Sequence, residues 1–164
     1  MNSKILFLDR DGVVNKKRDD YVKSWNEFQF LDGVKEALKI FSDFGYKIII
    51  ITNQSAINRE IMSEEDLKNI HEKMVSELNK NGIKIEAIYY CPHTPDENCE
   101  CRKPKTGLLE KALKKFNFLP QDCILIGDSC TDIQAGNDFG IKTYLLEKEN
   151  NLLDLTKNIL EVKT

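Results

Sequence analysis

No apolar run in this sequence approaches the length that crosses a bilayer; the apolar residues come in short blocks. Neither sign of charge dominates. Lys and Arg number 24 against 27 Asp and Glu, and the net charge of −3 gives no general attraction for nucleic acid or an anionic membrane. Internal repeats, low-complexity stretches and interdomain linkers are absent, which leaves one domain over residues 1–164, long enough to bury a useful core. Met1 to Lys4 leads straight into the first apolar block, without the basic and apolar regions of a secretory signal. A cytosolic monomer with neither nucleic acid nor membrane as partner is therefore expected. In a reducing compartment the clustering of the five cysteines favours metal over disulfides. Cys123 lies in an apolar block and reads as a small core residue.

Blocks of strand character recur at Ile5–Leu8, Lys47–Ile51, Ala87–Tyr90, Cys123–Ile126 and Lys142–Leu146. Most are continuously apolar, as strands of a parallel sheet covered on both faces should be. Between them run helical stripes: Val34, Ala37, Leu38, Phe41 and Phe44; Leu67, Ile70, Met74 and Leu78; Leu108, Leu109, Ala112, Leu113 and Phe116. Ser63, followed by three acids, reads as a helix start, and Gly45 and Gly82 fall where helices should stop. The tail from Glu147 reads as a terminal helix with Leu152, Leu153, Leu155, Ile159 and Leu160 on its apolar face. The pattern predicts an α/β three-layer sandwich around a mainly parallel, Rossmann-like sheet of five strands. Ligands of such sheets bind beyond the strands' carboxyl ends, at the topological switch.

Polar motifs follow the strand blocks directly. Asp9-Arg10-Asp11-Gly12 ends the first block, and alternation along a strand turns Asp9 and Asp11 the same way. Gly12 lets the chain leave the strand in a conformation other residues resist. Two acids so held can bind a hard cation, attack phosphorus and shuttle a proton, although alone they read equally well as an acidic turn. Thr52-Asn53-Gln54-Ser55 follows the second block and offers a hydroxyl and backbone N–H groups to phosphate oxygens. Arg102-Lys103-Pro104-Lys105 supplies three cations, with Lys103 a compact charge suited to a phosphate or phosphoaspartate. In Gly127-Asp128-Ser129-Cys130-Thr131-Asp132, Asp128 can add a direct magnesium ligand and Asp132, one helical turn on, can orient metal-bound water, although alone the segment reads better as an acidic helix cap.

Cys91, His93, Cys99 and Cys101 place three thiolates and an imidazole within eleven residues. The set suits tetrahedral zinc, and four protein ligands mark a structural rather than a catalytic ion. Such a zinc would close the loop of residues 91–101 and aim Arg102 and Lys103. His71 sits in a helical pattern and carries no assigned function.

Taken together, DRDG, the strand-terminal Thr52, the later Lys103 and GDSCTD resemble the haloacid dehalogenase superfamily of phosphohydrolases over nearly the whole chain. The resemblance implies a phosphatase in which Asp9 is the nucleophile and forms an aspartyl phosphate. Asp11 then protonates the leaving alcohol and activates water. Thr52 and Lys103 hold the transferring phosphoryl group, while Asp9, the main-chain carbonyl of Asp11, and Asp128 bind Mg²⁺. Anionic neighbours are expected to raise the pKa of Asp11.

The cysteine loop narrows the resemblance to the branch holding D-glycero-D-manno-heptose 1,7-bisphosphate phosphatases and histidinol-phosphate phosphatases. TNQS followed by Arg59, and Tyr21-Val22 upstream of Phe28–Gly33, look like the heptose enzymes; the short zinc loop is common in the histidinol branch. Ala56 and Ser129 depart from the heptose pattern, which usually has glycine and often a basic residue there. The resemblance implies removal of the C7 phosphate of the heptose bisphosphate in carbohydrate metabolism, with histidinol phosphate as the alternative. Arg18, Asp19, Asp20 and Tyr21 correspond to a segment that touches substrate in the heptose enzymes and here has one extra residue, and Arg18, Asp20 and Tyr21 are its expected contacts. With Asn53, Gln54, Ser55, Arg59 and Arg102 they make up the expected substrate contacts. Arg102 is suited to grip a distal phosphate or sugar hydroxyls. About forty residues separate Asp9 from Thr52, too few for a large cap domain. A catalytically dead zinc module, a response-regulator-like phosphoacceptor and a nucleic-acid end phosphatase are the remaining readings; the intact acid–lysine set, Asp11 beside Asp9 and the acidic balance speak against each in turn.

Overall fold

The computed structural model describes residues 2–163; Met1 and Thr164, the ends of the expected domain, lie outside them. Five parallel strands run through its centre: β1 (Lys4–Leu8), β2 (Tyr46–Asn53), β3 (Ile85–Cys91), β4 (Cys123–Gly127) and β5 (Lys142–Leu145), in the spatial order β3-β2-β1-β4-β5. Five helices connect or follow them: α1 (Val34–Asp43), α2 (Glu64–Lys80), α3 (Gly107–Lys115), α4 (Cys130–Phe139) and α5 (Leu152–Leu160). The chain winds from β1 outward through β2 to β3 and then crosses to β4. The topological switch therefore lies between the carboxyl ends of β1 and β4.

Period-two alternation explains the three layers. Leu6, Leu8, Ile48, Ile50, Ile124 and Ile126 point to one face and pack with α1, α2 and α5. Ile5, Phe7, Ile49, Ile51, Cys123 and Leu125 point to the other and pack with α3 and α4. The central strands are continuously apolar where they are buried, over Ile5–Leu8, Ile48–Ile51 and Cys123–Ile126, because both faces are covered there. Each fully buried Ile or Leu there contributes about 1.5–3 kcal/mol.

Ser63 caps α2 as expected: its Oγ accepts from the Asp66 N–H at 3.0 Å, and Asp66 Oδ2 accepts from the Ser63 N–H at 3.0 Å. Two stripes are shorter than expected. α1 stops at Asp43, which leaves Phe44 exposed as its C-cap, and Leu113 of α3 faces solvent. The terminal helix does not begin at Glu147. Asn151 accepts from the Asp154 N–H at 2.8 Å and sets the start at Leu152. Residues 12–33 form a loop with one 3₁₀ turn, Trp25–Glu27, over the carboxyl end of β1; among the described residues no large cap domain is present. No helix of the described residues is long and apolar enough to cross a membrane.

Candidate active site

Asp9 directly follows β1, and its N–H donates to the carbonyl of Ile126 in β4 at 3.1 Å, pinning it at the switch point. Asp9 Oδ1 accepts from the Arg10 N–H at 2.8 Å and lies 3.0 Å from Lys103 Nζ. The Lys103 ammonium is buried and fully engaged, donating also to Asp132 Oδ1 at 2.6 Å and to the Ile51 carbonyl at 3.0 Å. Burial disfavours that charge, but Asp9 and Asp132 outweigh it and hold the Lys103 pKa above its usual value. The lysine is thus a fixed cation at the end of the sheet. Asn53 fixes its backbone too: Oδ1 accepts from the Lys103 N–H at 3.1 Å, and Nδ2 donates to its carbonyl at 3.2 Å.

A carboxylate oxygen from each of Asp9, Asp128 and Asp132 lies within 4.8 Å of the others. Asp128 Oδ1 is buried without a hydrogen-bond partner, and its Oδ2 is 3.7 Å from Lys17 Nζ. A β-carbon on Gly12, whose φ is +89°, would stand 2.1 Å from Asp128 Oδ2, so glycine is what lets this carboxylate approach the loop. An orphaned carboxylate oxygen among acids fits a hard cation such as Mg²⁺. Asp132 does more than the sequence anticipated, because it anchors Lys103 as well as standing beside the prospective ion.

Burial is the main cause that pushes Asp9 up to about 8, against the opposing pull of Lys103 and with help from Asp132, Asp11 and Asp128. A proton and a divalent ion therefore compete for this carboxylate. Mg²⁺ binds the deprotonated form, so its apparent affinity should strengthen by about tenfold per pH unit up to about pH 8 and level off above it. Magnesium titrations followed by thermal shift at a series of pH values check this; a half-saturation point independent of pH would contradict it.

Asp11 departs from expectation. Its Oδ1 accepts from Arg10 Nη2 at 2.8 Å and Asn15 Nδ2 at 2.9 Å, and its Oδ2 from Gln54 Nε2 at 2.8 Å. Burial pushes the carboxyl up, but the Arg10 charge and the hydrogen bonds from Asn15, Arg10 and Gln54 outweigh it and leave the pKa below the ordinary value, not above. Every contact is a donor.

A cavity of about 450 Å³ opens over these groups. Of the residues expected to touch substrate, Asn53, Gln54, Ser55, Arg59, Arg102, Arg18 and Tyr21 line its wall, as does Asp19 of the same segment, and Lys17 and Thr131 join them. Two expected residues do not. Asp20 turns outward to pair with Arg18 and Lys23, and those contacts pull its carboxyl down to about 2. Thr52 is fully buried, its hydroxyl accepting from Gln54 Nε2 at 2.9 Å behind the cavity wall. Arg18 reaches the cavity while bound to Asp20 and Glu27. A larger hollow of about 720 Å³ adjoins it and shares Asp128, but does not include Lys103.

At the carboxyl end of β3, Cys91 Sγ lies 3.3 Å from His93 Nδ1, 3.5 Å from Cys99 Sγ and 3.1 Å from Cys101 Sγ. His93 Nδ1 is 3.2 Å from Cys101 Sγ, and the Cys99 and Cys101 sulfurs are 3.6 Å apart. The sulfurs are too far apart for disulfides, whose S–S bond is about 2.05 Å. The donor set instead fits tetrahedral zinc with Zn–S near 2.3 Å. The Arg102 N–H donates to Cys99 Sγ at 3.3 Å, and Arg102 Nη1 donates to the His93 carbonyl at 3.3 Å, so the cluster is joined directly to the cavity wall.

Sequence reasoning missed Arg10, Asn15 and His71. Strand alternation, which turns Asp9 and Asp11 outward, sends Arg10 inward; a charge aimed at the core was the available signal. His71 falls in register with the buried stripe of α2.

The family model described as Polynucleotide kinase 3 phosphatase matches residues 4–151. A D-glycero-alpha-D-manno-heptose-1,7-bisphosphate 7-phosphatase of Campylobacter jejuni is 42% identical over 166 residues, covering 99% of this chain and 95% of its own length. A D-glycero-beta-D-manno-heptose-1,7-bisphosphate 7-phosphatase of Neisseria meningitidis is 40% identical over 143 residues, covering 87% of this chain and 76% of its own. Among solved structures, D,D-heptose 1,7-bisphosphate phosphatase from B. bronchiseptica, complexed with magnesium and phosphate, superimposes with a TM-score of 0.88 at 30% identity, over 98% of this chain and 99% of that one. With this fold, this acid–lysine cluster and these relatives, the chain belongs to the haloacid dehalogenase-like phosphatases, on the heptose bisphosphate phosphatase branch.

Proposed function

We propose that the chain is a magnesium-dependent phosphomonoesterase that removes the C7 phosphate of D-glycero-D-manno-heptose 1,7-bisphosphate by way of an aspartyl phosphate on Asp9. The observation that carries this reading is the meeting of Asp9, Asp128, Asp132 and Lys103 at the β1–β4 switch point, with a buried Asp128 oxygen lacking any partner. Asp9, Asp128 and the main-chain carbonyl of Asp11 would hold Mg²⁺, which when bound offsets the charge of the phosphoryl oxygens. An Asp9 carboxylate oxygen bonds to phosphorus as the ester oxygen departs and takes a proton from Asp11. Asp11, now a carboxylate, removes a proton from water as that water attacks phosphorus and the bond to Asp9 breaks. Lys103 balances charge throughout and costs no reorganisation, because Asp132 and the Ile51 carbonyl already orient it. The donors around Asp11 favour its carboxylate in the resting site; an arriving phosphoryl dianion works against them and lifts the carboxyl toward protonation.

Four thiol or imidazole donors, positioned for metal and not for disulfides, support a reducing compartment. We take the working unit to be one cytosolic, monomeric domain over residues 1–164, with a small sugar bisphosphate as its partner. Arg102, Arg59 and Arg18 around the cavity supply cations for the second phosphate and the hydroxyls. The relatives divide between the alpha and beta sugars. The test is a phosphate-release panel with added Mg²⁺: both heptose bisphosphate anomers, histidinol phosphate, sugar monophosphates and a 3′-phosphorylated oligonucleotide. One heptose anomer should exceed every other class in kcat/KM by about tenfold or more, a difference of about 1.4 kcal/mol. Preference for histidinol phosphate or the oligonucleotide would overturn the substrate.

A further inference from the structure

Arg10 is fully buried, although it lies between two acids at the cavity floor. Its Nη2 donates to Asp11 Oδ1 at 2.8 Å, and its Nη1 bonds His71 Nε2 at 3.1 Å. The guanidinium carbon lies 6.0 Å from the centre of the Phe28 ring, and Nε has no hydrogen-bond partner. Because a guanidinium only donates, His71 must accept through an unprotonated Nε2. Burial first, and then the Arg10 charge, push the His71 pKa down to about 3, so the ring is a neutral acceptor at any working pH. His71 itself is held by α2, whose Leu67 and Ile70 are buried against Val22 of the loop after β1 and Ala56 of the loop after β2. A rigid helix thus reaches one edge of the guanidinium while the other edge grips the acid.

We propose that His71 and Arg10 form a positioning relay for Asp11, in which α2 sets the orientation of the carboxyl that donates and accepts the catalytic proton. Neither residue touches the phosphoryl group. The inference rests on Asp11 being the acid and base, and it assigns His71 a role in the same reaction. Asn15 and Gln54 also donate to Asp11, but both sit on the loops around it. The arginine alone ties the carboxyl to a helix.

The relay should matter only where Asp11 moves a proton. Substituting His71→Leu removes the acceptor, whereas His71→Gln keeps one. A phosphate ester of an alkyl alcohol needs Asp11 to protonate its leaving group; 4-nitrophenyl phosphate loses a phenolate that departs unprotonated, and needs Asp11 only to release phosphate from Asp9. For His71→Leu, kcat on the alkyl ester should fall by about tenfold to a hundredfold, the range expected of a small misplacement, with KM nearly unchanged. On the aryl ester the first release of nitrophenol should keep its wild-type rate and be followed by slow turnover, giving a burst. His71→Gln should recover most of the loss. If His71→Leu does not fold, Arg10→Lys, which cannot bridge His71 and Asp11 together, reads the same split. Wild-type rates on both esters, or equal slowing of the aryl burst and the alkyl reaction, would overturn the relay. Asp11→Asn separates the two layers. An active Asp11→Asn would sink the acid–base reading itself, whereas an inactive one beside an unaffected His71→Leu would sink the relay alone.

Discussion

Asp9→Asn is expected to lower kcat on the order of 10⁴-fold or more while leaving the fold intact, the scale seen when a covalent nucleophile is removed. The amide is nearly isosteric but cannot attack phosphorus. Folding should tolerate the change because Lys103 keeps Asp132 and the Ile51 carbonyl as partners, so no buried cation is abandoned. Burial and three neighbouring acids hold the Asp9 pKa at about 8, which means its negative charge is costly before metal arrives. The sign follows: above the unfolded carboxyl pKa, near 4, the folded protein binds the extra proton more tightly than the unfolded chain does, so this group's contribution falls as pH rises toward 8. Removing the charge should therefore leave the metal-free Tm at neutral pH unchanged or higher, and should abolish most of the Tm rise caused by Mg²⁺. Purified Asp9→Asn with more than about a tenth of wild-type activity would count against the nucleophile.

Zinc removal should have the second largest effect. The cluster closes residues 91–101 and then passes directly to Arg102 and Lys103. On chain entropy alone, closing a loop of this size is worth about 3 kcal/mol. At about 2–4 °C per kcal/mol for a domain of this length, that is a Tm loss on the order of 10 °C. Activity should fall further, by about tenfold or more, because Arg102 loses its Cys99 and His93 anchors. Lys103 should move less, since Asn53 clamps its backbone from β2. Chelation in excess Mg²⁺, followed by zinc readdition, measures both effects, and Cys101→Ser should reproduce them. Full activity and unchanged Tm in zinc-free protein would show that the cluster has no scaffolding role.

Much of this architecture was legible in the residues. Ile5–Leu8 and Ile48–Ile51 are apolar at consecutive positions, which suits only a strand covered on both sides, and the polar motifs follow such strands directly. Cys91, His93, Cys99 and Cys101 identify themselves by donor type and spacing. What escaped was set by side-chain direction. Phe44 fits a helical period, but the helix ends one residue earlier, so the ring meets solvent. Thr52 and Gln54 lie two apart, yet Gln54 folds back over the hydroxyl and takes the place at the wall. The expected sign for Asp11 failed for a similar reason. Neighbouring carboxylates were visible in the sequence, but the inward turn of Arg10 and the donors on Asn15 and Gln54 decide the outcome, and only the fold brings them to one carboxyl.

The most direct test is chemical trapping of the first covalent product. Acid quenching during steady turnover, borohydride reduction and peptide mass spectrometry should find homoserine in place of aspartate at position 9, as reduction of an acyl phosphate requires. Turnover at the full rate with residue 9 unmodified, or with the reduced residue elsewhere, would show that phosphorus is not attacked by Asp9.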